Sequence, residues 1–400
     1  MTALLYILAA LVILLALGWL ARFVGQKATG NKPLFRDMPL AVAFGYVLGA
    51  AIVIAGIWYY FQPVTTEQGT PDAGVTFFHW AVHGFILAAI AAFLFRLLGR
   101  HVGTAGSKKL FRHMPLTAAF GILVIILYAF TAIFAGVLAP YGQEEVFAQV
   151  NALPGGDASV GGNPDHPLGT DQIGRDLMSR LIYGAQNTVG IAFATTLIAF
   201  LLGGSLGFLA ATIQGWLDQV LSRVVDVLMA IPSLIFALLL MTIASAWAGS
   251  QQWLLTVYMV VIIAVIDSTR VFRLARAVGM NIVVMDYIEA AKLRGEGLGY
   301  LIFREILPNA TAPLLAEFGL RFCFVFLTIA ALSFLGVGIQ PPLADWGTMV
   351  RDLAQFINFA AFSPLTAALP IMAAGAIALL TVAVNFVVDW MLQKSSGLKE

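Results

Sequence analysis

The sequence predicts an all-α integral membrane protein, and three observations lead to this fold class. The 400-residue chain is 60% hydrophobic and only 11% charged, whereas soluble proteins average about 25% charged residues. Long uncharged intervals recur along the chain, and a spanning helix needs only about 20 apolar residues. The formal net charge is +1, which gives no basic field for nucleic acid. A soluble domain and a nucleic-acid-binding protein are therefore excluded.

Eight uncharged intervals are long enough to span a membrane. The interval 227–266 is too long for one helix, and the polar turn at residues 247–252 divides it in two. The sequence thus predicts nine spanning helices. The intervals are 1–21, 38–66, 73–95, 114–143, 181–217, 227–266, 322–344 and 353–388. The eighth helix, expected over residues 310–336, contains Arg321, which must face protein or water.

Basic residues predict the orientation, because cytoplasmic loops hold an excess of Lys and Arg. They follow the first and third helices, whereas the loops after the second and fourth helices are acidic. The basic residues in question are Arg22, Lys27, Lys32 and Arg36, then Arg96, Arg100, Lys108, Lys109 and Arg112. We therefore expect the N-terminus outside, the C-terminus in the cytoplasm and a first helix that is an uncleaved anchor.

An internal repeat indicates how the chain is organised. Residues 32–45 and 108–121 are identical at ten of fourteen positions. Each copy is a basic segment followed by a proline that can start a helix. We expect residues 1–106 to form an N-terminal membrane extension with three spanning helices, and residues 107–400 to form a core with six.

The largest predicted cytoplasmic loop, residues 276–309, holds a candidate contact surface for another protein. It contains Glu289, Ala290, Ala291 and Gly295, followed by Ile306, Leu307 and Pro308. These residue types predict a short helix with a small-residue face, ended by glycine. Taken alone, the Glu-Ala-Ala triplet is equally compatible with an ordinary interhelical loop.

The full spacing of this segment resembles the cytoplasmic signature of ABC importer permeases, whose short coupling helix fits a groove on the ATP-binding subunit. Residues 166–176, 226–234, 333–338 and 340–347 look like segments of the dipeptide, oligopeptide and nickel subfamily. The resemblance covers residues 110–392 and implies a six-helix type I permease core. Three extra N-terminal helices depart from the family's pattern.

The resemblance implies a permease subunit of an ATP-driven importer in the bacterial inner membrane. Peptides are the expected substrate, with nickel or another small solute as the alternative. The implied partners are a second related permease subunit, two ATP-binding subunits or domains, an extracytoplasmic substrate-binding protein and membrane lipid. The sequence has no phosphate-loop motif. We therefore expect ATP and Mg on partner subunits, no cofactor on this chain and no catalytic residue.

Within that resemblance, particular residues have expected roles. The contact with the ATP-binding subunit would be carried by Glu289, Ala290, Ala291 and Gly295, with Ile306, Leu307 and Pro308 orienting the next helix. Docking of the binding protein would involve Gly169, Thr170, Asp171, Asp176 and Trp346. The residue types at 169–176 also suit a hydrogen-bonded turn with local caps.

Two further groups of residues have alternative interpretations. Arg270 and Arg273 repeat every three residues and could line a substrate path, or extend to the membrane interface. His79 and His83 share a helix face that suits a metal, but an aromatic belt explains them as well, and we predict no metal site. A secondary transporter is the other class of function, with Asp226 and Asp389 as its candidate ionisable residues.

Overall fold

The described part of the chain is helical, as the sequence predicts. A computed structural model of the protein describes residues 12–13, 15–20, 23, 39–66, 69–249 and 251–395. Only isolated bridges, and no β-strands, occur among these residues. Most of the first predicted helix, and residues 32–38 of the first repeat copy, lie outside the described residues.

The helices are numbered here in chain order. They are α1 (Leu40–Tyr60), α2 (Ala73–His101), α3 (Ala105–His113), α4 (Leu116–Ile133), α5 (Leu177–Ile213), α6 (Gly215–Ala230), α7 (Ser233–Ala248), α8 (Gln252–Val283), α9 (Asp286–Leu293), α10 (Leu298–Phe334), α11 (Trp346–Leu353) and α12 (Pro364–Ser395). Two of them contain a π-helical segment, Ala185–Val189 in α5 and Leu301–Ile306 in α10.

Six of these helices are long and apolar enough to cross a membrane: α2, α4, α5, α8, α10 and α12. They correspond to the third, fourth, fifth, seventh, eighth and ninth helices that the sequence predicts. The described residues Gly45–Tyr60 of α1 form a shorter apolar helix. The six-helix count rises to seven if the bent pair α6 and α7 is one span.

The bent pair differs from the single sixth helix that the sequence predicts between residue 227 and the turn at residues 247–252. Helices α6 and α7 meet at an angle of 90°. Between them Ile231 has an extended backbone, with φ −92° and ψ 130°, and Pro232 precedes the first residue of α7. A proline has no amide hydrogen and forces the preceding residue out of the helical region, so α6 ends there.

The chain divides into two compact units, Met1–His83 and Gly84–Glu400. In the first unit, a short reversal between α1 and α2 is closed by a bridge between Thr65 and Pro71. The second unit contains the remaining helices and the apolar core. The boundary after residue 106, which the repeat predicts, stays a prediction.

Helices α5 and α8 form the most extensive helix pair of the second unit. A Cβ atom at Gly203 would collide with the Ser268 carbonyl oxygen, and one at Gly207 would lie 2.7 Å from the Phe272 carbonyl oxygen. On α8, Gly279 meets the Ala211 side chain of α5 in the same way. Small residues let two backbones approach closely in a membrane, where van der Waals packing drives helix association.

A second core lies where α10, α11 and α12 meet α5. Phe326 and Leu332 of α10 have no exposed surface, and the buried Trp346 ring lies 6.3 Å from the Phe326 ring in an edge-to-face arrangement. The Tyr128 hydroxyl of α4 donates a hydrogen bond to the Ala376 carbonyl of α12 at 2.9 Å. This core joins α4, α5, α10, α11 and α12.

The glycine contact predicts that adjacent alanine substitutions have opposite effects. Gly203→Ala forces α5 away from α8, an overpacking that costs about 1–3 kcal/mol. Gly204→Ala is the matched control: its Cβ meets nothing within 4 Å, and alanine favours a helix over glycine by about 0.5–1 kcal/mol. Thermal unfolding of the purified chain in detergent should show a lowered midpoint for the first variant only. Equal midpoints would contradict the proposed close packing.

Candidate functional site

Helix α9 is a short helix between the long helices α8 and α10. Its Ile288 and Ala291 side chains have no exposed surface. They pack into a cluster that we call the platform, formed by parts of α5, α8 and α10. The platform consists of Phe208, Ala275, Ile282, Val283, Leu301, Ile302, Ile306 and Ala310. One side of α9 is therefore held by three longer helices at once.

The opposite side of α9 is exposed. Residues three and four apart share a helix face, so Asp286, Glu289, Ala290 and Leu293 lie together, opposite the buried pair. All four are exposed, and Leu293 is 83% exposed. Neither carboxylate forms an ion pair with the part of the chain that the structure describes. We call these four residues the α9 surface, and its small and apolar side chains allow a second protein to approach closely.

Helix α9 ends at the glycine that the sequence predicts. Gly295 has a φ of +82°, in the left-handed region that favours glycine. Its amide donates to the Lys292 carbonyl at 2.9 Å, and the Glu296 amide donates to the Ala291 carbonyl at 3.2 Å. This pair of bonds is a Schellman motif, which satisfies carbonyls at the end of the helix. The motif reverses the chain toward α10.

The three residues expected to orient the next helix lie in α10, where the π-helical segment Leu301–Ile306 meets the α-helical stretch Leu307–Phe334. Ile306 has no exposed surface and belongs to the platform, and Leu307 packs against it. Pro308 is exposed and follows the π-helical segment Leu301–Ile306. A proline is tolerated in the first turn of the stretch Leu307–Phe334, because the first amides of an α-helical stretch need no acceptor within it. The two apolar residues thus join α10 to the platform beneath α9.

The arginines of α8 have separate environments. Arg273 pairs with Asp226 of α6 at 2.6 Å, and both side chains are about half exposed. Arg276 forms a two-point ion pair with Asp218 of α6. Asp226, Arg273 and Arg276 line a cavity of about 380 Å³ between α6 and α8. Asp226, considered above as an ion-carrying residue, therefore has an arginine partner.

Arg270 is exposed and lies well inside α8. At 1.5 Å per residue it is roughly 27 Å from the Gln252 end and roughly 20 Å from the Val283 end. Its guanidinium lies 5.9 Å from the Phe324 ring centre of α10. It takes part in none of the ion pairs found among the described residues. An unpaired arginine at this depth points toward water or protein rather than lipid.

A buried ionic group that the sequence reasoning missed lies beside Arg270. The Arg321 Nε atom of α10 is 2.7 Å from Glu317, and its Nη1 atom is 3.7 Å from Asp267 of α8. The Arg321 side chain also stacks over the Phe324 ring at 4.7 Å. Arg321 thus faces protein, as its position in the eighth helix requires. The i, i+4 spacing of Glu317 and Arg321 could have predicted this ion pair from the sequence.

The segment before α5 has carboxylates that serve as local caps. Asp176 accepts hydrogen bonds from the Ser179 amide and hydroxyl at 2.7 Å, and from the ring of His166 at 2.9 Å. Asp171 accepts from the Arg175 amide and guanidinium at 2.9 and 2.8 Å. All these acceptors are buried. The turn with local caps, one of the two readings of residues 169–176, is therefore present.

Gly169, Thr170 and Trp346 are also interior residues. A Cβ at Gly169, where φ is +80°, would collide with the Ala152 carbonyl. The Thr170 hydroxyl accepts from the Ala152 amide and donates to the Gln149 carbonyl, both at 2.9 Å. The Trp346 indole donates to the Leu181 carbonyl at 2.9 Å. Gly169 and Thr170 thus pack against residues 149–152, and Trp346 joins α11 to α5.

Asp345, which precedes α11, is a buried carboxylate that sequence reasoning missed. It accepts from the Thr188 hydroxyl at 2.9 Å and from the Thr348 amide at 2.8 Å, and it has no exposed surface. Burial raises the pKa of Asp345 above the ordinary value, although these hydrogen bonds oppose the shift. Its spacing from Thr348 is typical of a helix N-cap and could have identified it.

His79 and His83 both contact Tyr60, within the first unit. The His79 Nε2 atom lies 2.6 Å from the Tyr60 carbonyl oxygen, and the His83 Nε2 atom lies 3.1 Å from the Tyr60 hydroxyl. The described residues contain no group of three or more metal-ligating side chains. The two histidines thus connect α2 to the end of α1.

Comparisons with a protein family and with known proteins show what the chain resembles. Residues 203–396 match the family described as binding-protein-dependent transport system inner membrane component. The dipeptide transport system permease protein of Haemophilus influenzae is 34% identical over 243 residues, covering 61% of this chain and 79% of that protein. Its counterpart from Escherichia coli K12 is 36% identical, with 61% and 78% covered. The glutathione transport system permease protein of Pectobacterium atrosepticum is 31% identical, with 60% and 74% covered.

The capped segment before α5 predicts a large stability difference between two aspartates. Asp176→Ala leaves His166 and the Ser179 amide buried without their acceptor and should cost about 3 kcal/mol. Asp157→Ala is the control, because Asp157 also caps a helical turn but is exposed. Thermal unfolding in detergent should separate the two, with little change for Asp157→Ala. A similar small loss in both variants would argue against a structural role for Asp176.

Proposed function

The chain belongs to the family of binding-protein-dependent transport system inner membrane components, and we propose that it forms half of the translocation pathway of an ATP-driven peptide importer. Its relatives are permease subunits for peptides and dipeptides, so the chain is a multi-pass inner-membrane transport component and not an enzyme. Such components work with an ATPase and a substrate-binding protein. We also propose which residues of this chain couple it to the ATPase.

The proposed assembly contains this chain, a second related permease subunit, two ATP-binding subunits or domains and an extracytoplasmic binding protein. ATP and Mg bind to the ATP-binding subunits. The proposed substrate is a peptide, since relatives are named for dipeptide, peptide and glutathione transport. Transport then consists of a population shift between inward-facing and outward-facing states, which ATP and the loaded binding protein stabilise differently.

The observation that supports the coupling role is the two-sided character of α9. Its inner side, Ile288 and Ala291, is fully buried on the platform, while its outer side is exposed. A force on the α9 surface is therefore transmitted to α5, α8 and α10 together, because close-packed interiors shift as units. We propose that the ATP-binding subunit contacts this surface through Glu289, Ala290 and Leu293.

The remaining residues expected at this contact have supporting roles in the proposal. Ala291, Ile306 and Leu307 belong to or pack on the platform and position α9. Gly295 ends the helix through the Schellman motif. Contact with an ATP-binding subunit requires that α9 lies in the cytoplasm. Alternation of the spans then gives an external N-terminus and a cytoplasmic C-terminus.

We propose an indirect role for the residues expected to dock the binding protein. Thr170, Asp171, Asp176 and Trp346 are buried, so their side chains have little surface to offer a partner. They hold the shape of the external segment on which the binding protein would dock. The affinity of the binding protein for the folded fraction of the Asp176→Ala variant checks this role. An unchanged affinity would mean that docking does not need the shape of this segment.

Arg270 is the residue that we propose for the substrate path. It is exposed, unpaired among the described residues and far from both ends of α8. Arg273 differs, because its partner Asp226 neutralises it. We propose that Arg273 closes the cytoplasmic side of the path through this ion pair rather than binding substrate. A guanidinium at the depth of Arg270 suits the carboxylate of a peptide.

Substitution on the two sides of α9 tests the coupling proposal. Ala290→Phe places a bulky ring on the exposed side, so the chain should fold normally while the ATP-binding subunit dissociates and uptake falls roughly tenfold or more. Ala291→Phe places the same ring on the buried side and should destabilise the chain itself. The measurement is affinity capture of the complex from native membranes, followed by protein identification and ATP-dependent uptake. If the Ala290→Phe chain captures as much ATP-binding subunit as the unsubstituted chain, the proposal is contradicted.

Uptake kinetics test the role of Arg270. Arg270→Gln should raise the KM for peptide uptake about tenfold, because a charge-assisted hydrogen bond contributes about 1.5–3 kcal/mol. Arg270→Lys keeps the charge and should recover part of the affinity. Arg223→Gln is the control, since Arg223 is an exposed arginine of α6. An unchanged KM in the Arg270→Gln transporter would remove Arg270 from the path.

A further inference from the structure

The junction of α2 and α3 carries a group of basic residues without acidic partners. Arg96 and Arg100 lie on the last turns of α2, and Lys108, Lys109 and Arg112 lie on α3. We call these five residues the basic junction. The sequence contains no Asp or Glu between Asp72 and Glu144. None of the five forms an ion pair with any described residue.

Helix α3 presents its basic residues on one side. At 100° per residue, Lys108, Arg112 and Lys109 fall on a continuous arc, and Leu110 and Phe111 fall on the opposite side. The Phe111 ring lies 5.4 Å from the Phe95 ring of α2 in an edge-to-face contact. Such a basic amphipathic helix lies in the plane of a membrane surface, with its cations at the headgroups.

Hydrophobic packing fixes α3 to the ends of the spanning helices. A small core contains the fully buried Met114, and the residues that pack on it are Phe95, Leu110, Phe111 and, from α12, Trp390. The end of α2, the start of α4 and the end of α12 are therefore on the same side of the membrane. The basic junction is thus a fixed arrangement of side chains at the edge of three apolar helices.

The guanidinium groups of α2 have donors that the described chain does not satisfy. The Arg96 Nη2 atom donates to the Arg112 carbonyl at a long 3.5 Å, which brings the end of α3 beside α2. The Nε atoms of Arg96 and Arg100 are covered but have no hydrogen-bond acceptor among the described residues. Gathering like charges without acids is unfavourable, and covered donors without acceptors add to that cost.

A sixth cation lies close to the same core. The Lys394 ammonium group lies 5.6 Å from the centre of the Trp390 ring. The nearest acid along α12 is Asp389, which is exposed and pairs with no residue of the basic junction. The preference for basic residues in cytoplasmic loops explains how many cations are present. It does not explain why arginines of two helices converge with unsatisfied donors.

We propose that the basic junction is a binding site for the phosphate of an anionic phospholipid. The phosphate oxygens would accept from Arg96 and Arg100, with Lys109 and Arg112 completing the charge, and the acyl chains would lie along the apolar length of α2. Arginine forks bind phosphate with two parallel hydrogen bonds. Basic pockets beside spanning helices recognise acidic headgroups in this way. The site holds α3 on the membrane surface and is independent of the importer's substrate.

The test measures lipid binding to the purified full-length chain in neutral detergent. Phosphatidylglycerol should remain bound in native mass spectrometry and raise the unfolding temperature, whereas phosphatidylcholine should do neither. Inorganic phosphate at the same concentration should also fail, because it lacks the acyl chains. Arg96→Gln/Arg100→Gln should weaken phosphatidylglycerol binding about 30-fold, since each basic residue near an anionic surface contributes about a factor of five.

Two further variants decide between a site and a general charge effect. Arg223→Gln/Arg304→Gln removes the same charge elsewhere and should leave phosphatidylglycerol binding unchanged. Lys109→Gln/Arg112→Gln alters two exposed side chains of α3 and should weaken binding even if the α2 variant does not fold. Equal binding of the two lipids by the unsubstituted chain would overturn the proposal. An equal loss of phosphatidylglycerol binding in the junction variants and in Arg223→Gln/Arg304→Gln would also overturn it.

Discussion

The close contact between α5 and α8 is the constraint on which the rest of the described core depends. It exists because Gly203 and Gly207 leave no side chain between the two backbones. Toward the end of α8 the same pair supplies Phe208 and Ala275 to the platform. A larger residue in the contact would separate the helices and remove the surface on which Ile288 rests. The position of α9 thus follows from glycines far from it in sequence.

The charges inside the apolar part of the chain follow a second constraint. Each buried ion needs a partner, because an uncompensated charge in a low-dielectric interior costs several kcal/mol. Arg321 therefore contacts both Glu317 and Asp267. Arg276 of α8 likewise forms an ion pair with Asp218 of α6. Arg270 remains exposed beside this paired group. The paired arginines, Arg276 and Arg321, therefore have structural positions, whereas the unpaired Arg270 is the one proposed for the substrate path.

Six of the nine spanning helices that the sequence predicted are present among the described residues, because long apolar intervals are a direct consequence of the bilayer's thickness. The sequence also predicted the short helix ended by Gly295, since glycine in a left-handed conformation is a local requirement. It did not predict the 90° bend before α7, because Pro232 indicates that α6 ends but not the angle at which α7 continues. Asp345 and Glu317 were missed although Thr348 and Arg321 lie near them in sequence, since their further contacts, Thr188 with Asp345 and Asp267 with Arg321, come from other helices.

The sequence by itself determined the class of the protein, six of its predicted spans and the end of α9 at Gly295. These follow from composition, helix length and local backbone preference, which neighbouring residues fix. Only the tertiary structure decided which residues face outward. It buried Ala291 and exposed Ala290, placed Asp171 inside a turn and left Arg270 unpaired. The physical reason is that burial and pairing depend on contacts between helices that are distant in sequence.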